Sequence, residues 1–419
     1  MTKLSPAEAL AASLRGWQST DPAGPLGIAV SGGSDSLALL YLAADWARDR
    51  GVDLHVVTVD HGLRSEAAQE AAFVTDHATS LGLPHRVLRW QGWEGQGNLM
   101  DQARRARYRL MADWARQRGL SAVLLGHTLD DQAETLMMRL ARGAGVDGLA
   151  AMAAQGEQAG FPFLRPLLSV RRDALRAELT ARNVTWVEDP SNDDTRFERV
   201  RMRQGLKMLA QQGVEPEALN QTAQNLAEAR GALNWAVAQF AGKHVTQHAG
   251  DLAIAAKPFA ELPAELQRRL LQHALGWIAG PGYAPRSEAL AQLRAQALAG
   301  QGATLSGVRM THRKGGIYLF RELAAVAELS TSVDQPFDTR WQLSGPGGAD
   351  LHIAPLGAEG LLACPKPRES LRPAAALQAD PAIWRDNQLI SAPLAGFLQG
   401  WQAELAPNCR DFAKWTVSR

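Results

Sequence analysis

Leu26-Gly27-Ile28-Ala29-Val30-Ser31-Gly32-Gly33-Ser34-Asp35-Ser36, running straight on into Leu37-Ala38-Leu39-Leu40-Tyr41-Leu42, is the stretch on which the fold turns. The apolar run before Ser31 suits a buried strand, the Ser/Gly cluster suits a tight turn, and Leu37, Leu40 and Tyr41 keep the spacing of a helix stripe. Strand, loop and helix in that order aim successive backbone N–H groups and the positive end of a helix dipole at one point, which makes a cradle for an anion. Gly32 and Gly33 allow close backbone approach, and the hydroxyls of Ser31, Ser34 and Ser36 add donors. This is not a Walker A loop, because no Lys precedes the Ser, and its glycines lack the dinucleotide-binding spacing. Taken alone, Ser31 to Ser36 also suits an ordinary turn between strand and helix.

Downstream, Val52 to Val59 reads as a second strand that ends at Asp60-His61-Gly62-Leu63-Arg64. A helical stretch follows from about Ser65 to Leu81, then a third strand over His85 to Trp90. Asn98 to Arg118 reads as a long helix with Leu99, Ala103, Ala106, Leu110 and Trp114 at helical spacing. Ser121 to Leu125 is a further strand; it ends at Gly126-His127-Thr128 and enters a helix from Asp130 to about Arg142. Strands alternating with helices predict an α/β fold with a doubly wound, mostly parallel sheet, whose ligands sit at the carboxyl ends of the strands. Three polar groups fall at such ends: the Ser31 loop, Asp60 with His61, and His127 with Asp130, Asp131 and Glu134. Singly, Asp60-His61 also suits a capping turn and Asp130-Asp131 the start of a helix. Their convergence on one sheet edge favours a site.

Beyond the sheet, Gly143 to Gly160 reads as a Gly/Ala-rich loop and Arg171 to Arg182 as a helix. Between positions 196 and 207 stand Arg196, Arg199, Arg201, Arg203 and Lys207 against the single acid Glu198, a pattern shared by solvated helix faces and by surfaces for RNA phosphates. Val214 to Gly300 is helical in pattern and carries no chemical constellation. Thr304 to Glu322 changes period and reads as a hairpin about Gly315-Gly316. Past Ser330, Pro and Gly punctuate a segment with Trp341, Leu351, Ile353, Ile390 and Trp401, which predicts a small β-rich domain. The expected domains are a catalytic α/β domain over 1–210, a mainly helical accessory domain over 211–328 that ends in the hairpin, and a β-rich C-terminal domain over 329–419.

Composition agrees with a folded protein of two or three domains: 419 residues, 46% hydrophobic and 21% charged. Cys364 and Cys409 lie late in the chain and form no CxxC pair, so neither a disulfide framework nor a cysteine-ligated metal site is supported. A net charge of +1 advertises no global basic field, so any nucleic-acid surface has to be local. Met1 to Ala12 lacks the basic start and continuous apolar core of a signal peptide, and no apolar run reaches spanning length; a cytoplasmic location without membrane or protein partners is expected.

Ser31-Gly32-Gly33-Ser34-Asp35-Ser36 resembles the SGGxDS loop of the PP-loop ATP pyrophosphatases, which cradle the pyrophosphate of ATP while its α-phosphate is attacked. Val59-Asp60-His61-Gly62-Leu63-Arg64, Asn98 with Ala103-Arg104-Arg105-Ala106-Arg107-Tyr108, the string from Gly126 to Thr135 and Glu188-Asp189-Pro190-Ser191-Asn192 narrow the resemblance to the tRNA(Ile)-lysidine synthases, in order and spacing from Ser31 to about Arg203. Phe320-Arg321-Glu322 and Pro381-Ala382-Ile383-Trp384 resemble that family's accessory domains more loosely. The resemblance implies that ATP adenylates the C2 carbonyl oxygen of the wobble cytidine in an isoleucine tRNA with a CAU anticodon. The ε-amine of L-lysine then attacks C2 and expels AMP. By the same resemblance, Ser31, Gly32, Gly33, Ser34, Asp35 and Ser36 hold ATP, with Asp35 ordering the loop or a Mg²⁺ ion, and Arg107 stabilises charge on the α-phosphate. Asp131 and Glu134, three apart on one helix face, meet the lysine ammonium. His127 is an acid–base or positioning candidate, and Asp60, His61, Arg104, Arg199, Arg201 and Arg203 position or bind the tRNA.

Three other readings are weighed against this one. A tRNA thiolase needs a cysteine persulfide or a cysteine-bound cluster, and the catalytic half contains no cysteine. An amide-forming synthetase of the same superfamily often carries a glutaminase domain, which is not apparent. A nucleotide-binding module without chemistry would not require the paired Asp131 and Glu134 beside an Arg-rich helix.

Overall fold

The computed structural model describes residues 4–18, 24–62, 67–90, 99–188, 195–280, 285–348, 350–365 and 372–417. Leu63, Arg64, Asn98 and Asp189 to Asn192 of the motifs quoted above lie outside these residues. The chain divides into two compact units, residues 1–230 and 231–419.

The first unit is built on strands β1 (Leu26–Ala29), β2 (Leu54–Asp60), β3 (His85–Arg89), β4 (Ala122–Leu125), β5 (Gln155–Gln158) and β6 (Phe161–Leu164), in the sheet order β3-β2-β1-β4-β6-β5. All neighbours pair parallel except β5 with β6. Its helices are α1 (Pro6–Gln18), α2 (Ser34–Arg48), α3 (Ala67–Ser80), α4 (Leu99–Gln117), α5 (Leu129–Leu140), α6 (Val146–Leu149), α7 (Arg172–Ala181) and α8 (Glu198–Gln211). Alternating strand residues feed two cores. Leu54, Val56, Ala122 and Leu124 pack with α1, α2, α3 and α7, while Val57, Val123 and Leu125 pack with Tyr108, Met111 and Trp114 of α4. A sheet covered on both faces explains why its strands read as continuous apolar runs. The chain runs from β1 outward through β2 and β3, then returns to place β4 on the other side of β1, so the order reverses between β1 and β4. That reversal opens a crevice at the strands' carboxyl ends.

In this unit the stretch after α5 departs from its sequence expectation. Gly143 to Gly160 contains the short helix α6 and the strand β5, which folds back on β6 through a two-residue turn, Ala159-Gly160, with φ of 51° and 66°. All four residues of β5 are exposed, so it carries no apolar alternation by which a strand announces itself.

Helix α9 (Pro216–His244) contains the division between the units. In the second unit, β7 (Val245–His248), β8 (Asp251–Ala255), β9 (Ala303–Leu305), β10 (Val308–Arg313) and β11 (Gly316–Arg321) form a sheet in the order β7-β8-β11-β10-β9. It packs with α10 (Ala256–Glu261), α11 (Ala264–Ala279) and α12 (Ser287–Leu298) around Phe259, Leu270, Trp277 and Leu319. The hairpin expected near Gly315 is β10–β11, turning through Lys314-Gly315, one residue earlier than Gly315-Gly316. The β7–β8 hairpin interrupts a span whose pattern is otherwise helical. Its strands have only four and five residues, too few to establish a period against the long helices on either side. The final segment is β-rich as expected, with β12 (Thr331–Ser332), β13 (Trp341–Ser344), β14 (Leu351–Pro355), β15 (Pro381–Arg385), β16 (Gln388–Ser391) and β17 (Gln402–Leu405) in two small sheets. Arg372 ties this segment to β8: its guanidinium donates to Asp251 (2.7 and 3.0 Å) and to Asp380 (2.6 and 2.8 Å).

Candidate functional site

At the β1/β4 crevice the chain encloses a cavity of about 1280 Å³, lined by Ser31 and Gly33 to Ser36, Asp60, His61, Arg107, His127, Asp131, Glu134, Arg172 and Arg203. The phosphate-loop candidate closes on itself. Ser36 Oγ donates to the Gly33 carbonyl (3.0 Å) and accepts from the Ser31 N–H (3.1 Å), so this hydroxyl shapes the loop. Gly33 caps α2 without a side chain, and the first-turn N–H groups of that helix have no acceptor within it. A Cβ on Gly126 would stand 3.0 Å from the Asp35 carbonyl oxygen and from Ser36 Cα. Glycine just after β4 is therefore what lets this part of the chain come up against the start of α2. From the other side, the Val187 N–H donates to the Gly32 carbonyl at 3.0 Å, bringing the segment before Glu188 onto the loop.

Asp131 and Glu134 do share one face of α5, and both point inward: Asp131 is 6% exposed and Glu134 1%. Thr128 caps the helix in a capping box, in which Asp131 Oδ2 accepts from the Thr128 N–H (2.8 Å) and hydroxyl (2.9 Å). The helix-start reading of Asp131 is thus realised by one carboxylate oxygen, leaving Oδ1 for other partners. Those partners are guanidinium groups. Arg172 reaches Asp131 Oδ1 at 3.3 Å and Arg199 reaches it at 3.4 Å. Arg199 Nε donates to Glu134 Oε2 at 2.8 Å, Arg203 Nε to Oε1 at 2.6 Å, and Arg172 Nη1 lies 3.6 Å from Oε1. Arg172 Nε also donates to Asp35 Oδ2 at 2.8 Å.

Arg172 is a site residue that local sequence reasoning misses. It lies in a plain amphipathic helix, and the turn that brings it to the site is made by Asp130, whose Oδ2 accepts from the Arg172 N–H at 2.7 Å. Arg199 and Arg203 sit one turn apart on α8 and face α5, whereas Arg201 is exposed and donates to the carbonyls of Thr195 and Arg196. Arg104 is exposed on α4 and, like Arg107, lies over the Tyr108 ring. Asp60 Oδ1 accepts from the Gly62 N–H at 2.8 Å, and the His61 ring meets Trp90 edge-on at 6.0 Å.

Charge and burial set the chemistry of these groups. Burial raises the Asp35 pKa, outweighing Arg172. Burial also pushes Asp131 up, but Arg199, Arg172 and His127 outweigh it and hold the group below the ordinary carboxylate range. His127 is pushed down to about 3, chiefly by burial; Asp131 opposes this, while Arg165, Arg107 and Arg199 reinforce it. His127 is therefore a neutral imidazole at neutral pH, and its buried Nδ1 has no hydrogen-bond partner among the described residues. Burial lowers the pKa of Arg107, whose buried Nε likewise has none among the described residues. The Arg107 Nε donor and an uncharged His127 beside a phosphate-loop geometry form a place for a ligand that brings its own acceptors. Among the described residues no group of three or more His, Cys, Asp or Glu side chains is placed to hold a metal, and no described helix is long and apolar enough to cross a membrane.

The PP-loop domain family matches residues 6–209. The chain is 46% identical over 406 residues to a tRNA(Ile)-lysidine synthase of Ruegeria pomeroyi, covering 97% of each chain. It is 44% identical over 283 residues to a tRNA(Ile)-lysidine synthase of Bradyrhizobium diazoefficiens, covering 65% of this chain and 78% of that one. The corresponding protein of Rhodopseudomonas palustris is 43% identical over 295 residues, covering 69% of this chain and 85% of its own.

Proposed function

The chain belongs to the tRNA(Ile)-lysidine synthase family, and from that premise we propose how its own residues divide the work of an ATP-dependent lysine ligase. The reaction joins L-lysine to C2 of the wobble cytidine in an isoleucine tRNA with a CAU anticodon. The C2 carbonyl oxygen attacks the α-phosphate of ATP and pyrophosphate leaves; the lysine ε-amine then forms the new C–N bond at C2 and AMP leaves. One observation carries the assignment of parts: a phosphate-loop geometry and a buried carboxylate pair open into the same cavity, beside Arg107.

The Ser31–Ser36 loop and the start of α2 hold the ATP phosphates through backbone N–H groups. Asp35, the one carboxylate within the loop, would hold a Mg²⁺ ion arriving with the nucleotide, which would supply positive charge to the phosphates. Arg107 offers its unpartnered Nε to charge developing on the α-phosphate, and neutral His127 offers a ring nitrogen without adding a cation. Asp131 Oδ1 and Glu134 receive the lysine ammonium, with Arg199 and Arg203 fixing the Glu134 carboxylate from α8. Asp60 and His61, at the end of β2, position the cytidine, and exposed Arg104 and Arg201 face tRNA phosphates. Residues 211–328 and 329–419 hold the body of the tRNA, since an anticodon can be presented to a small site only if the rest of the molecule is held elsewhere.

The test is mass spectrometry of nucleosides from an isoleucine tRNA with a CAU anticodon, incubated with the protein, ATP and isotope-labelled lysine. A lysine-sized adduct on cytidine that carries the label is expected, and an unmodified cytidine with intact tRNA and folded protein overturns the reading.

A further inference from the structure

We propose that Arg172 is a positioning residue that makes lysine binding depend on occupation of the phosphate loop; this rests on the assignment of Asp131 and Glu134 to lysine made above. Three nitrogens of one guanidinium face three carboxylates from two other helices. Nε meets Asp35 of α2 at 2.8 Å, Nη2 meets Asp131 of α5 at 3.3 Å, and Nη1 stands 3.6 Å from Glu134 of α5. A planar fork can span such a set, whereas the point charge of a lysine cannot. The base of the side chain is fixed as well, because the Arg172 N–H is held by Asp130 at 2.7 Å. Only the fork is left to move.

In this state the cluster is balanced, with Asp35, Asp131 and Glu134 facing Arg172, Arg199 and Arg203. An ammonium group arriving at Asp131 and Glu134 finds their charge already compensated and adds a fourth cation to three anions. Asp35 is part of the phosphate loop, so a nucleotide bound there brings several negative charges to the Nε side of the same fork. A polyphosphate competes for the guanidinium more strongly than a single carboxylate does. Drawing Arg172 toward phosphate removes one cation from Asp131 Oδ1 and Glu134 Oε1, and the lysine ammonium takes its place. The consequence is an ordered site: the amine is held tightly only when the group that activates its target is present. By linkage, lysine must tighten nucleotide binding by the same factor.

The experiment is equilibrium dialysis of labelled L-lysine against the full chain, with and without the α,β-methylene analogue of ATP, which cannot release pyrophosphate. In the natural sequence the analogue is expected to tighten lysine binding by a factor within the usual range for coupled sites, about 5- to 150-fold. In Arg172→Gln, lysine should bind more tightly than in the natural sequence when no nucleotide is present, and the analogue's effect should shrink to about twofold or less. Arg172→Lys, which keeps the charge and loses the fork, should also lose most of the coupling, and it serves if the Gln variant does not fold. A variant that merely loosened the fold would weaken both ligands without abolishing their ratio. Equal coupling in the natural sequence and in either folded variant, or lysine binding indifferent to the analogue in the natural sequence, overturns the proposal while leaving the lysine site intact. Nucleotide binding with no lysine binding under any condition overturns the assignment of Asp131 and Glu134 itself, and this inference with it.

Discussion

Glu134→Gln probes stability and function at a single buried oxygen. The carboxylate is 1% exposed and is met by Arg203 at 2.6 Å, Arg199 at 2.8 Å and Arg172 at 3.6 Å. The amide keeps one acceptor oxygen but turns the other position into a donor, which faces guanidinium donors. Breaking a buried ion pair from one side costs about 3–5 kcal/mol because the remaining charge stays desolvated. Arg199 is 40% exposed and Arg203 28%, so solvent screening brings the expected loss below that range, to roughly 2–3 kcal/mol. For a unit of this size, each kcal/mol lowers the melting temperature by about 2–4 °C, so a fall of roughly 4–12 °C is expected in thermal denaturation. A charge-assisted contact to the lysine ammonium is worth about 1.5–3 kcal/mol, which is roughly ten- to a hundredfold in kcat/KM for lysine. Adenylation, followed as pyrophosphate release with tRNA and without lysine, should stay within about threefold, since no nucleotide contact is removed. A folded variant that loses adenylation and keeps its lysine dependence would show that Glu134 serves the nucleotide. An unchanged melting temperature would show that the three guanidinium groups do not depend on it.

Three further outcomes follow from the same geometry. At Gly33 a Cβ meets nothing nearer than Ser31 Oγ at 3.9 Å, so Gly33→Val should fold normally and fill the space a phosphate needs; ATP binding by calorimetry should vanish, and retained binding refutes the phosphate assignment. His127 has a folded-state pKa of about 3, below its unfolded value of about 6.5, so the unfolded chain takes up a proton between these values that the native site refuses. Stability should therefore fall as pH drops from about 6.5 toward 3, by up to about 1.4 kcal/mol per pH unit, and His127→Gln should remove this contribution; denaturant melts at pH 7 and pH 5 that show the same natural-minus-variant gap would refute it. Arg199→Gln should lower lysine use while leaving the slope of log tRNA affinity against log salt unchanged, because its guanidinium is committed to Glu134; a slope reduced by about 0.7–0.9 would return it to an RNA phosphate.

Much of this protein is written in local pattern. The apolar runs ending at Val30, Val59 and Leu125, each followed by a polar turn and a helix, determine a parallel sheet, because strand and helix periods are set by neighbours within a few residues. The three-residue offset of Asp131 and Glu134 places both on one helix face whatever surrounds them. Strands without apolar alternation were illegible for the same reason: β5 is wholly exposed and β7–β8 is too short to set a period. The partners of the charges belong to tertiary structure alone. Asp35 and Arg172 are 137 positions apart, and Glu134 and Arg203 are 69 apart. An Arg-rich helix has the same sequence pattern whether it meets solvent, RNA or a buried carboxylate. Only packing α7 and α8 against α5 commits Arg172, Arg199 and Arg203 to that last choice, since a guanidinium's partner is set by which acceptors lie within about 3 Å of it and not by its neighbours along the chain.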